Sequence, residues 1–115
     1  MAGAAPFTHL LADFVGVPAA QLRDPATLSG MLVAAAGAAG FASLGAPVVR
    51  QLPQSGCAGL LPLDGGHIAL HGFPDRELLL LDVLASAERD VRKAVDVFAR
   101  RLAPAEMRVE VRARG

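Results

Sequence analysis

The sequence has little of what several common kinds of functional site require. It contains one cysteine, Cys57, so no disulfide can form within the chain. The three histidines, His9, His67 and His71, lack the Cys, Glu or third-His spacing of a zinc motif, and we predict no metal site. Eleven basic residues balance eleven acidic residues, which leaves no positive surplus to bind a nucleic acid backbone.

Signals for export and for membrane insertion are also missing. The start, MAGAAPFTH, has no positively charged region of the kind that opens a secretory signal. The stretch 30–49 is free of charge, but it is mostly Ala and Gly with Pro47 inside, so a helix, a turn and a strand explain it better than a membrane span. We therefore expect a cytoplasmic protein with a single domain over residues 1–115.

Hydrophobic periodicity predicts six strands and two helices in the order β-α-β-β-β-β-α-β. Asp24 and Pro25 are expected to open the first helix, which ends near Gly40, and Ser86 is expected to cap the second. The strands are predicted at 9–17, 42–52, 57–63, 67–73, 77–85 and 107–112. This order predicts an α+β layered domain, an α/β sandwich with mostly antiparallel pairing.

Two of the predicted strands carry information about how the sheet is covered. The run from Leu78 to Leu81 makes the fifth strand apolar on both faces, and such a strand needs cover on both. Two helices do not readily supply both covers, so we expect a second sheet or a subunit interface. In the last strand Met107, Val109 and Val111 alternate with charged residues and are predicted to point inward.

The stretch "LPLDGGHIALHGFPD", residues 61–75, is the most polar part of the predicted sheet. Gly65–Gly66 permits a tight reversal, after which His67, His71 and Phe73 point to one face of the strand. Asp75 follows on the same parity, and an imidazole, a flat ring and a carboxylate would suit a nucleoside or amino-acid ligand. Two histidines on one strand face are, however, more often surface or structural groups, so spacing alone indicates only a small possible site.

An ordered set of segments resembles the short bacterial and archaeal S-adenosylmethionine decarboxylases. The segments are HLLADFVGV, LPQSGCAGLLPL, GGHIALHGFPD, LLLDVLAS and MRVEVRARG. The resemblance implies an α/β sandwich that pairs into a dimer through its sheets. It also implies self-cleavage at a Glu-Ser bond, which turns the serine into a pyruvoyl group, the electron sink for loss of carbon dioxide on the route to spermidine.

The resemblance also implies that this sequence lacks several of the family's functional groups. The self-cleaving serine corresponds to Gly66, and a second processing serine corresponds to Ala58. The family's proton-donating cysteine corresponds to Ser86, four residues after Asp82, and Cys57 belongs to a different strand. Glycine has no hydroxyl to form the ester intermediate, so we predict that no pyruvoyl cofactor forms and that the carbanion of decarboxylation has no sink.

Other family groups have counterparts. By resemblance His71 matches the histidine that assists processing, Phe73 the ring that packs on adenine, and Asp75 the carboxylate that binds ribose. His67 follows the cut, and the upstream aromatic falls near Leu52. These residues keep the outline of a ligand site.

Three roles are left open. In the first, the protein is a repurposed homodimeric enzyme of specialised metabolism that binds an adenosyl- or amino-acid-like molecule, with His71 as acid or base and Ser86 or Asp82 nearby. In the second, it is a catalytically dead partner of an active S-adenosylmethionine decarboxylase in spermidine biosynthesis. In the third, it is a small ligand-binding or structural protein.

Overall fold

A computed structural model describes residues 5–115, which form a six-stranded antiparallel sheet with two helices. The strands lie in the order β2-β3-β4-β5-β1-β6, and every neighbouring pair is antiparallel. The predicted fold class and the predicted order of strands and long helices are confirmed. The strands are β1 Phe7–Val15, β2 Val48–Gln51, β3 Cys57–Leu63, β4 Gly66–Phe73, β5 Leu78–Ser86 and β6 Glu106–Arg114.

The first helix, α1, spans Pro25–Ala38 and begins as predicted. The carboxylate of Asp24 accepts a hydrogen bond from the backbone N–H of Ala26 at 3.1 Å, which satisfies one of the free donors at the helix start. Gly40 follows the helix with a φ of +72°, a conformation that glycine adopts without steric cost. The charge-free stretch 30–49 is therefore a helix end, a turn and a strand, and no helix within residues 5–115 has the length and apolarity to cross a membrane.

The second helix, α2, spans Val91–Leu102 and begins differently from the prediction. Its N-cap is Asp90, whose carboxylate accepts from the backbone N–H of Arg92 at 3.1 Å. The prediction that Ser86 caps this helix is wrong, because β5 continues through Ser86 and a turn separates the two elements.

Both helices pack on one face of the sheet. The inward side chains of β1, β3, β4 and β5 form a single apolar core with them, and the rings of Phe14 on β1 and Phe98 on α2 lie 6.4 Å apart. Gly59 on β3 lets α1 approach closely, because a Cβ there would already lie 3.3 Å from the Leu32 side chain. The core therefore lies between the sheet and the helices.

The opposite face of the sheet has no helix over it within residues 5–115, and we call it the open sheet face. It carries the outward side chains of the six strands, and Phe7, Leu60 and Leu80 are 39%, 45% and 38% exposed. In the leucine run, Leu79 and Leu81 are buried under the helices while Leu80 points to the open face. Within the described residues, the helices thus cover one face of β5, and the other face, which carries Leu80, stays uncovered.

Two edge strands differ from their predictions. Strand β2 is only four residues long, because Gly45, with a φ of +135°, and Pro47 interrupt the predicted segment. Strand β6 is longer than predicted, but only Val109 packs against the core, while Met107 and Val111 are 42% and 40% exposed. The predicted direction is confirmed, because Met107 and Val111 pair with the buried Phe14 and Leu10 of β1 and share their face. The two side chains stay partly exposed, since β6 lies at the sheet edge beyond the strands that α2 contacts.

Candidate functional site

The β3–β4 hairpin brings the predicted cleavage position into the sheet. Its two-residue loop is Asp64–Gly65, with Gly65 at a φ of +86°, so the predicted Gly65–Gly66 reversal is shifted by one residue. Gly66 is already the first residue of β4. A Cβ placed on Gly66 would overlap the carbonyl oxygen of Leu84 and lie 2.7 Å from its carbonyl carbon, so the backbone of β5 occupies the space of a side chain.

Three of the predicted ligand-binding residues meet at the far end of β4. Leu52, Phe73 and Asp75 line a cavity of about 490 Å³ between the β2–β3 loop and the short 3-10 helix Pro74–Arg76. The carboxylate of Asp75 is 81% exposed, and its Oδ1 lies 3.9 Å from Nη2 of Arg23. This cavity therefore brings together the ring of Phe73 and the exposed carboxylate of Asp75, with the guanidinium of Arg23 nearby.

His71 lies next to that cavity on the open sheet face. As predicted, its side chain points to the same face as those of His67 and Phe73, while Ile68 and Leu70 are buried in the core. The rings of His71 and Phe73 are stacked, with centroids 6.3 Å apart and planes 16° from parallel. His71 and Asp82 also line a shallow cavity of about 290 Å³ together, so the predicted pairing of these two groups in one site is sterically feasible.

Two of the lost family positions flank different parts of this strand. Ala58 on β3 pairs directly with His71 across the sheet, so the predicted second processing position does lie beside the predicted processing histidine. Ser86 lies at the other end, in a cavity of about 170 Å³ with Gly66, where its hydroxyl donates to Oε1 of Glu88 at 3.3 Å. His71 pairs with Leu80 on β5, and Ser86 lies six residues further along the same strand. That distance is about 20 Å, so Ser86 and His71 of one chain do not meet.

A third group of polar side chains lies at the centre of the open sheet face. Nε2 of His9 on β1 contacts Oδ1 of Asp82 on β5, and Nε2 of His67 on β4 lies 3.6 Å from Oδ2 of the same carboxylate. The ligand atoms of the three residues all lie within 4.8 Å of one another. Local spacing in the sequence does not reveal this cluster, because His9 and Asp82 are 73 residues apart.

Comparison with known proteins identifies the family of this chain. Residues 8–115 match the family described as S-adenosylmethionine decarboxylase. The chain belongs to the S-adenosylmethionine decarboxylase family. It is also similar to the crystal structure of the adenosylmethionine decarboxylase from Aquifex aeolicus VF5, with a TM-score of 0.89 and 25% sequence identity over 98% of this chain and 93% of that one. No curated protein matches it.

The pyruvoyl group that this decarboxylase family implies does not fit the residues at the cleavage position. The group is made from a serine side chain, and Gly66 has neither the hydroxyl nor the space for a Cβ. Cys57 offers no substitute, since it lies on β3 with its side chain in the core. Burial first, and the negative charge of Asp24 second, raise the pKa of the Cys57 thiol and disfavour its nucleophilic thiolate form.

Proposed function

We propose that this member of the S-adenosylmethionine decarboxylase family stays an intact chain and does not become a pyruvoyl enzyme. The observation that carries the proposal is the packing of Gly66 against the Leu84 carbonyl, which leaves no room for a side chain. Cleavage through an ester requires a hydroxyl at this position. Ala58 beside His71 has no hydroxyl either, and Ser86 stands in place of a thiol. Without a carbonyl electron sink, decarboxylation by the family route is not available to this chain.

The retained part of the site supports binding of an adenosyl- or amino-acid-like small molecule. A cavity of about 490 Å³ is in the range of small-ligand sites, and it offers the Phe73 ring for stacking. The exposed Asp75 carboxylate can accept hydrogen bonds from ligand hydroxyl groups, and Arg76 on the same wall can pair with a ligand carboxylate. Leu52 forms the wall without an aromatic ring, so a purine would stack against Phe73 alone.

His71 is the proposed acid or base of this site. Its imidazole is exposed, stacks on Phe73 and shares a cavity with Asp82, so it can exchange a proton with a ligand that extends from the larger cavity. The reactions that fit are eliminations, cyclisations and additions, which need proton transfer but no electron sink. A role in specialised metabolism is consistent with this chemistry. Ser86 takes no part within the same chain, because it lies about 20 Å from His71 along the strand.

A second candidate function uses the open sheet face instead of the cavity. Phe7, Leu60 and Leu80 leave large apolar side chains exposed there, which is typical of a surface that another protein covers. A copy without pyruvoyl chemistry could pair through this face with an active S-adenosylmethionine decarboxylase and regulate spermidine synthesis. Both roles are compatible with the cytoplasm, which remains the location predicted from the sequence.

The mass of the purified protein tests the first part of the proposal. We expect a single species with the mass of the uncleaved chain, because Gly66 has no hydroxyl with which to start the acyl shift. Electrospray mass spectrometry of freshly purified and of aged protein measures this directly. Two fragments that divide between Gly65 and Gly66, or a pyruvoyl-blocked amino terminus, would refute the proposal.

Calorimetric titration with S-adenosylmethionine and its analogues tests the ligand site. Phe73→Ala should weaken binding by about 10-fold or more, since stacking of a base on an aromatic ring contributes about 1–3 kcal/mol. Asp75→Asn should weaken only ligands that carry a ribose. Asp96→Asn on α2 serves as the control, because that carboxylate lies on the surface of the helix, away from the cavity. Equal affinity in all three variants, or no heat with any ligand, would leave the second candidate function as the better account.

A further inference from the structure

We propose that His9, His67 and Asp82 form a binding site for a divalent transition-metal ion on the open sheet face. The residues come from three adjacent strands, β1, β4 and β5. His9 and His67 each pair with Leu84, one from either side of β5, and Asp82 is the next residue of β5 on the same face. The strand register therefore holds one carboxylate between two imidazoles, with all three side chains directed away from the core. The proposal does not rest on the small-molecule function, whose main cavity lies at the end of β4, although Asp82 also lines the smaller cavity beside His71.

One separation within the cluster is close to that of a coordinated ion, while Nε2 of His9 and Oδ1 of Asp82 are in direct contact and would have to move apart to admit one. Ligands at about 2.1 Å from a tetrahedral metal lie about 3.4 Å from one another. Nε2 of His67 lies 3.6 Å from Oδ2 of Asp82, which is long for a hydrogen bond and near the ligand separation. All three ligand atoms lie within 4.8 Å, so side-chain rotations that move them by about 1 Å would complete the site.

The donor atoms select the class of metal. Two imidazole nitrogens and one carboxylate oxygen suit Zn²⁺, Co²⁺, Ni²⁺ or Fe²⁺, whereas Mg²⁺ and Ca²⁺ prefer sites made of oxygen alone. The side chains of His9, His67 and Asp82 are 16%, 33% and 37% exposed, so the site is shielded on the sheet side and open outward. Three protein ligands would leave at least one coordination position free for water or a ligand.

Arg114 is a built-in competitor of the metal. Its Nη1 donates a hydrogen bond to Nδ1 of His9 at 3.1 Å, so Nδ1 holds the lone pair and the ring proton of neutral His9 lies on Nε2. A metal bound to Nε2 requires the proton on Nδ1, where it would face the guanidinium. Metal-bound histidines normally donate that N–H to an acceptor. Arg114 must therefore swing away when the ion binds, and its side chain is exposed near the end of β6.

Cobalt titration of the tag-free, full-length protein tests the site after treatment with a chelator. We expect one Co²⁺ per chain, visible d–d absorption that reports imidazole coordination, and displacement by Zn²⁺. His9→Ala, His67→Ala and Asp82→Asn should each weaken Co²⁺ binding by about 100-fold or more. Asp13→Asn and His71→Ala remove a carboxylate and a histidine elsewhere on the same face and should leave the affinity unchanged.

Arg114→Ala gives a test that does not remove a ligand or a core residue. It should tighten Co²⁺ binding, by about 5-fold or more, because it removes both a positive charge and the competing donor. Melting curves recorded for each variant without metal identify any that fail to fold. Absence of Co²⁺ binding by the wild-type protein, or equal binding by the folded ligand variants, would overturn the site, and weaker binding by Arg114→Ala would overturn the competition.

Discussion

At the scale of single residues, Gly66 differs from the serine that the family resemblance implies in two ways: it lacks the hydroxyl, and it lacks space for a side chain. The hydroxyl alone could be restored by one substitution, but the backbone of β5 fills the place of the Cβ. The Ala85 Cα would lie 3.2 Å from that Cβ, so neither neighbouring residue of β5 can give way without moving the strand. The proposed loss of processing therefore rests on the packing of two central strands as well as on the chemistry of one side chain.

Restoring the serine should therefore fail to restore cleavage. Gly66→Ser is expected to leave the chain intact and to lower the free energy of unfolding by about 1–3 kcal/mol, the usual cost of overpacking. Gly66→Ala should cost about the same, since the Cβ and not the hydroxyl causes the overlap. Thermal unfolding and intact mass measure both effects.

The matched control is Gly30→Ser in α1, where an added Cβ has no neighbour within 4 Å. Its melting temperature should stay the same or rise slightly, because glycine is a poor residue inside a helix. A Gly66→Ser protein that melts like the wild type and splits into two chains would contradict the packing argument.

At the scale of elements, the sequence determines strand identity where both faces of a strand have a clear pattern. The bounds of β3 agree with the prediction, and the alternation in β4 correctly separates Ile68 and Leu70 from the histidine face. The start of α1 was also predictable, because Asp24 followed by Pro25 is a strong local signal. Local patterns were sufficient for these elements because each is defined by its own residues.

Features that depend on pairing between distant elements could not be predicted in the same way. The separation of Ser86 from His71 follows from the β4–β5 register, and the His9, His67 and Asp82 cluster needs β1 beside β5 as well. A one-residue shift of register would send each of these side chains to the other face. The exposure of Met107 and Val111 has a similar cause, since it depends on β6 being the last strand of the sheet.

At the scale of the whole molecule, the open sheet face carries exposed apolar side chains around the polar cluster of His9, His67 and Asp82, and it is charged at one edge. On β6, Arg108 pairs with Glu106 at 2.7 Å and Arg112 with Glu110 at 2.6 Å. Charged side chains along an edge strand discourage pairing of sheets edge to edge. Exposed Phe7, Leu60 and Leu80 favour the other geometry, in which a second sheet lies face to face with this one. The predicted homodimer would therefore form through the face and not through the β6 edge.

A charge in place of the exposed Leu80 on this face should separate the homodimer. Leu80→Glu is expected to raise the dimer dissociation constant by about 30-fold or more, which corresponds to a loss of about 2 kcal/mol at an interface hot spot. Val33→Glu is the matched control, because Val33 is also exposed, at 55%, but lies on α1 on the other side of the sheet. Sedimentation equilibrium over a range of concentrations measures both variants against the wild type.

A wild-type protein that stays monomeric alone but forms a mixed dimer with a coexpressed active decarboxylase would exclude the homodimer and favour the regulatory partner. A dimer that survives Leu80→Glu unchanged would place the interface elsewhere.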